Sequence, residues 1–283
     1  MANEVAKVEK KEGIASFLAR EAIKANVESV VGTKDSQRFI SSVVSAIQTN
    51  AQLADCSNSS ILSAALLGHS LNLPQSPQLS YFYFVPYNNT KKIKDANGRE
   101  QEITVKEAVF QLGYRGYIQL AMRSGQYQKI AATDIREGEL KSYNPITEEI
   151  IFEPITDYEE RLKKPVVGYY AFFTLINGFK KEIYWDKERM EAHAKKYSAS
   201  YRKGWNTSMW KTDFDEMAKK TTIRALLGKW GIMSVELEKA YSGDMAVIRE
   251  NGIPDYVDNT PIEAEPAVDI FDTEAKEITD DAE

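Results

Sequence analysis

The sequence predicts an α+β fold: a helical N-terminal part, antiparallel strands with a basic β-hairpin, long core helices and a flexible acidic C-terminal tail. Three observations predict it. Apolar residues recur at helical spacing in residues 13–30, 35–47, 59–71, 104–124 and 212–230. Alternation, or enrichment in β-branched and aromatic residues, marks strands at 79–87, 127–136, 150–153, 166–176 and 179–185. Asn97-Gly98 and Asn177-Gly178 stand between such runs and signal hairpin turns.

Each element follows from its own residues. Ile14, Phe17, Leu18, Ile23, Val27 and Val30 line one side of a first helix, and Gly32 is its expected C-cap. Phe39, Ile40, Val43, Val44 and Ile47 form the apolar side of a second. The third, rich in Ala and Leu, is closed by Pro74. Tyr81, Tyr83 and Val85 then alternate with Phe82, Phe84 and Pro86, which gives a strand with two useful faces. The lysine-rich loop 88–101 carries Lys91, Lys92, Lys94 and Arg99 near its tip. Residues 104–124 read as helix, interrupted by Gly113-Tyr-Arg-Gly116. Glycine costs about 1 kcal/mol in a helix interior, so close packing or close approach of a ligand is expected there. Past Ala240 the periodicity fades, and Pro254, Pro261 and Pro266 separate acidic clusters. Such a segment cannot bury enough apolar surface to offset its ordering entropy. The expected organisation is therefore N-terminal helices making oligomer contacts (residues 1–55), a core (56–240), and an acidic partner-binding tail (241–283) that is dispensable for folding.

Composition narrows the function. With 283 residues, 43% hydrophobic, the chain can bury a full core. Its one cysteine, Cys56, excludes an internal disulfide and fits a reducing cytoplasm, and with only His69 and His193 it cannot build a usual zinc site. Residues 1–11 lack the apolar core of a signal peptide, and no apolar run reaches membrane-spanning length. The net charge of −6 hides an asymmetry. Residues 236–283 hold 15 acids and 3 bases, a net of −12, which leaves 33 bases and 27 acids in residues 1–235, a net of +6. A basic body with an acidic tail suggests a nucleic-acid-binding body and an interaction tail.

The basic body concentrates in residues 186–230. Eleven Lys and Arg fall there, interleaved with Tyr197, Tyr201, Trp205, Trp210, Phe214 and Trp230. Cations track phosphates and aromatic faces accept bases, so this mixture suits a sequence-tolerant nucleic-acid groove. The competing reading is a solvated helix with a hydrophobic back. Residues 212–230 are apolar on two sides, so this helix packs between other elements, with Lys220 and Arg224 four apart on the strip between them. Like charges at that spacing repel unless an anion covers them, but Asp215 and Glu216 precede Lys219 and Lys220 by four. Spacing alone supports groove and salt-bridged face equally.

Catalytic motifs are missing. Gly228-Lys229 lacks the rest of a phosphate-binding loop, and there is no H-E-x-x-H, G-x-S-x-G or paired-Cys motif. Asp213 and Asp215 raise the question of a Mg²⁺ site, but on a helix they point about 200° apart. No motif supports Mg²⁺, and no cofactor is expected.

Gly113-Tyr-Arg-Gly-Tyr-Ile-Gln-Leu-Ala-Met-Arg-Ser-Gly125, the Arg136-Glu-Gly138 step, and Trp210 followed by Glu216-Met-Ala-Lys-Lys-Thr221 and Arg224 resemble the RecT family over residues 36–235. These are single-strand annealing recombinases of phages and prophages. The resemblance implies a non-enzymatic, ATP-independent protein of the bacterial cytoplasm that binds single-stranded DNA and the annealed duplex. It also implies rings or helical filaments and a partner 5′→3′ exonuclease, with a host single-strand binding protein as a further partner. It carries DNA contact onto Arg115, Arg123, Lys219, Lys220 and Arg224. The basic-aromatic reading adds Lys195, Lys196, Arg202, Lys203 and Lys211, with Tyr201 and Trp210 as stacking candidates against a competing role in the core. Lys91 and Lys92 are added from the hairpin. A metal-dependent nuclease and a passive protector of single strands are the alternatives.

Overall fold

Among the described residues, four α-helices precede the first strand where three were expected. The computed structural model describes residues 12–76, 78–94, 100–206, 208–249 and 252–256, with the side chains of residues 91–102 outside that description. Extended backbone at Arg20 splits the first helix into α1 (Ile14–Ala19) and α2 (Glu21–Val31). Gly32, at φ 87°, ends α2 and starts α3 (Thr33–Thr49), a left-handed turn that favours glycine. A 3-10 turn, Ala51–Asp55, leads to α4 (Asn58–Ser70), whose N-cap Ser57 accepts from Ser60 N. The core has no break at residue 55. Leu18, Val27, Phe39, Val43 and Ile47 share one buried cluster with Ile61, Phe82, Phe110 and Ile223, so the first helices belong to the same core as the rest.

Two antiparallel strands follow: β1 (Phe82–Lys94) and β2 (Glu100–Leu112), in continuous register from Phe82↔Leu112 to Lys94↔Glu100. The Asn97-Gly98 turn lies outside the described residues. Residues 104–112, expected as the start of a helix, are therefore strand. The reason is burial on both faces: Ala108, Phe110 and Leu112 face the main core, while Glu107, Val109 and Gln111 are covered from the other side. A strand covered on both faces loses its period-two signature. The helix begins only at α5 (Tyr114–Arg123). Its two glycines serve close packing. A Cβ on Gly113 would stand 2.3 Å from the carbonyl oxygen of Ser80, and one on Gly116 2.2 Å from that of Tyr81.

The second sheet is built from β3 (Tyr127–Arg136), β6 (Val166–Leu175) and β7 (Lys180–Asp186) in the order β3-β6-β7, close to the expected strands. Between β3 and β6 lie a small hairpin, β4 (Leu140–Asn144) with β5 (Glu149–Phe152), and the short α6 (Tyr158–Lys163). After β7 come α7 (Lys187–Tyr197), α8 (Ala199–Arg202), α9 (Met209–Thr212) and α10 (Phe214–Trp230). Asp213, at φ −138°, separates α9 from α10. As its two apolar sides required, α10 is sandwiched: it packs on β3, β6 and β7 and against α5, burying Met217, Ala218, Ile223, Leu226 and Leu227.

The folded part does not end near residue 240. After α11 (Val235–Gly243), β8 (Ala246–Ile248) and β9 (Pro254–Tyr256) extend the first sheet in the order β1-β2-β8-β9. Ala246 and Val247 are buried, and Met245 N donates to the Phe110 carbonyl at 2.9 Å. Three-residue strands are too short for periodicity to reveal among the acids. The remainder of the expected tail, residues 257–283, lies outside the described residues. Ending the chain after Tyr256 should leave the urea unfolding midpoint in place. Ending it after Asp244, which removes β8 and β9, should cost about 3–5 kcal/mol. Equal midpoints for the two truncations would contradict this placement.

Candidate nucleic-acid interface

Buried charge comes first, because it decides which cations are free to meet a ligand. Asp244, at the junction of α11 and β8, is fully buried. Its Oδ1 accepts from Lys220 Nζ and from Leu112 N, both at 2.8 Å. Its Oδ2 accepts from the Tyr117 hydroxyl at 2.8 Å and lies 3.4 Å from Arg224 Nε. Arg224 Nε also donates to Tyr117 Oη at 3.0 Å, and its guanidinium stacks 4.1 Å from the Tyr241 ring centre. One carboxylate thus joins β2, α5 and α10 to the start of β8. Burial pushes the Tyr117 hydroxyl well up, reinforced by Asp244. Burial also draws the Lys220 ammonium down from its ordinary value, opposed by Asp244.

This placement corrects the reading of Lys220 as a DNA contact. Its residue is only 3% exposed, and its charge neutralises Asp244. Arg224 is half-buried and directed into the same cluster. Arg123 is exposed, but its Nη1 and Nη2 donate to the Leu71 and Asn72 carbonyls, tying α5 to the end of α4.

A second cluster accounts for the aromatic candidates. Trp210 is 5% exposed and packs with Tyr169, Met190, Ala194, Met217 and Ala218. Its ring centre lies 5.4 Å from Phe214 and 6.4 Å from Tyr201. Trp210 is therefore a core residue, not a stacking platform, and Tyr201 leans on the same cluster. His193, between Trp185, Tyr197 and Trp210, is held down to about 4 by burial, with Arg224, Lys196 and Arg189 adding to the effect. It is neutral near pH 7. Asp215 accepts from Tyr169 Oη at 2.6 Å and Asp213 from Thr212 Oγ1 at 2.7 Å, so the two carboxylates are engaged separately.

The other candidate cations form two groups, one with Arg115 exposed and Lys219 half-buried, the other exposed. Lys219 Nζ lies 4.9 Å and the Arg115 guanidinium 5.8 Å from the centre of the Tyr114 ring, with Glu216 paired to Lys219 at 2.5 Å. Arg115 is raised above its ordinary value, first by its hydrogen bond to Tyr114, with smaller contributions from Glu216 and Tyr83. Around α7–α9, Lys195, Lys196, Arg202, Lys203 and Lys211 are all exposed. Arg202 Nη1 reaches the carbonyls of Lys195 and Lys196 at 3.4 Å, Lys203 Nζ lies 5.2 Å from the Trp205 ring centre, and Lys211 Nζ donates to Asn206 Oδ1 at 2.7 Å. Lys91 and Lys92 have their backbone in β1, opposite Ile103 and Glu102.

A groove of about 460 Å³ opens beside Trp205, with Lys106 as the cation in its lining. One wall is β1, from Tyr83 to Asn88; the other is α8–α9 with Ser200, Trp205, Ser208 and Met209. Phe82 and Phe84 turn into the core, which leaves Tyr83 and Tyr87 on the other face of the strand. Tyr83 also stands beside Gly113, at the start of α5, so the Tyr114–Arg115–Lys219 group sits at that end of the groove. Tyr83, Tyr87 and Met209 were not singled out as site residues from the sequence. The alternation of Tyr81, Tyr83 and Val85 with Phe82 and Phe84 was the signal that one strand face stays open.

The contrast between neighbouring lysines is measurable. Asp244→Ala leaves the Lys220 charge buried without its carboxylate and should cost about 3–5 kcal/mol in urea unfolding. Lys219→Ala, which breaks a pair with the exposed Glu216, should cost about 1 kcal/mol or less. Comparable losses from both substitutions would overturn the division into structural and ligand-facing cations.

Comparison with known proteins gives the family. The family model described as "RecT family" matches residues 37–258. That span includes β8 and β9, which the motif resemblance did not reach. An uncharacterised protein of Bacillus subtilis (strain 168), YqaK, is 39% identical over 244 residues, 86% of this chain and 74% of its own length. Protein RecT of Escherichia coli (strain K12) is 29% identical over 237 residues, 83% of this chain and 81% of its own. The chain therefore belongs to the RecT family of DNA-annealing recombination proteins.

Proposed function

We propose that this chain binds single-stranded DNA by its phosphates along the groove between β1 and α8–α9. It then pairs that strand with a complementary one without ATP. The observation that carries the reading is the segregation of its cations. Lys220 and Arg224 neutralise Asp244 inside, while Arg115, Lys203 and Lys211 are exposed and Lys219 is half-buried, near the two ends of an aromatic-walled groove.

The chemistry needs no covalent step. Two polyanions repel, and cations along one of them lower the cost of bringing up the second. Base pairing and stacking, about 1.4 kcal/mol per step, then drive annealing. Sequence information resides in the pairing, so the protein itself reads none. The missing phosphate-binding loop fits a process that needs no nucleotide. One protomer covers few nucleotides, so a homology search along a strand calls for head-to-tail assembly into rings or helices. The acidic residues 257–283 are the segment we assign to an exonuclease or single-strand binding protein partner.

Binding to an oligo-dT, followed by fluorescence anisotropy, should weaken with salt at a log-log slope of about −0.7 per phosphate neutralised. Arg115→Glu with Lys219→Glu should flatten that slope by about one to two phosphates and slow annealing of a complementary fluorescent pair. Affinity independent of salt, or an unchanged slope in the double variant, would contradict the groove assignment. Duplex formation slowed by the unmodified protein would favour passive protection. Mg²⁺-dependent degradation of the labelled strand would favour a nuclease.

A further inference from the structure

Among the four tryptophans, Trp205 has the most exposed position. It is 49% exposed, against 5% for Trp210. Its backbone is nevertheless pinned: Trp205 N donates to the Ser200 carbonyl at 3.0 Å, and Ser208 N donates to the Trp205 carbonyl at 3.1 Å. A large aromatic ring held from a fixed backbone on the wall of a groove leaves about half of its area open to a ligand. Across the groove stand Tyr83, itself 38% exposed, and Tyr87. Lys203, two residues earlier, places its ammonium 5.2 Å from the Trp205 ring centre, where it can also meet a phosphate.

We infer that Trp205 is the base-stacking residue of this chain: one base of a bound single strand stacks against its ring, opposite Tyr83 and Tyr87, while Lys203 meets the adjoining phosphate. The inference rests on the annealing function proposed above and adds to it a contact with the bases themselves. Stacking engages the face of a base and leaves its pairing edge open, so a strand held this way can still be read by its complement. The position tolerates every base, because each has a π-face. Of the two aromatic candidates chosen from the sequence, Trp210 is buried in the second core cluster and Tyr201, partly buried, packs against it.

The test compares two probes of equal length and equal phosphate charge: an oligo-dT and an oligomer of abasic tetrahydrofuran phosphates. By anisotropy, the unmodified chain should prefer oligo-dT by about tenfold. Trp205→Ala should lower that preference to near unity while leaving the salt slope unchanged, and Trp205→Phe should retain most of it. Circular dichroism checks that both variants fold. If Trp205→Ala keeps the full preference, or if the unmodified chain binds both probes equally, the stacking assignment is overturned and phosphate tracking stands. If the unmodified chain binds neither probe, the annealing reading fails and takes the assignment with it.

Discussion

A single buried carboxylate sets the geometry on which everything else depends. Asp244 takes a hydrogen bond from the last ladder residue of β2, one from a helix that follows that strand, and an ion pair from α10. Removing a carboxylate and an ammonium from water costs several kcal/mol each, so each is tolerated inside only in the presence of the other. The pair is therefore a specificity device more than a source of stability. It ties α10 to β2 and α5. With Lys220 turned inward, its neighbour Lys219, about 100° further round the helix, lies beside Tyr114 and Arg115.

This arrangement separates two uses of positive charge within one short stretch of chain. Inside, cations stabilise a carboxylate that closes the first sheet against α10. Outside, cations lie near an aromatic-walled groove that has β1 as one wall. The same separation explains how a chain of net charge −6 can bind a polyanion, because most of the excess acid lies beyond residue 235. One acid from that acidic stretch, Asp244, is recruited into the core, and another, Asp255, pairs with Arg249, which also reaches Glu107.

Much of the fold was legible in the sequence. The strands of the second sheet announced themselves through aromatic and β-branched runs and the Asn177-Gly178 turn. The two apolar sides of α10 required a sandwiched helix, and one is present. Strand β2 was misread because its residues are covered on both faces, and burial of that kind erases the period that distinguishes strand from helix. The site was harder. Lys219 and Lys220 are adjacent and chemically alike, and only the distant Asp244 decides which of them turns inward. From sequence alone Asp244 is one acid among fifteen in an acidic segment. Trp205 and Trp210 pose the same difficulty: both belong to a basic-aromatic stretch, and only the packing of α7, α10 and β6 around Trp210 shows which ring is core.

The central claim is that exposed lysines around the groove meet DNA while the buried one does not. Lysine acetylation of the folded protein, read residue by residue by mass spectrometry with and without bound oligo-dT, tests it most directly. Lys203 and Lys211 should react in the free protein and become protected by the oligonucleotide, whereas Lys220 should stay unreactive in both states. Ready labelling of Lys220 in the free protein, or DNA protection that spares Lys203 and Lys211, would contradict the account.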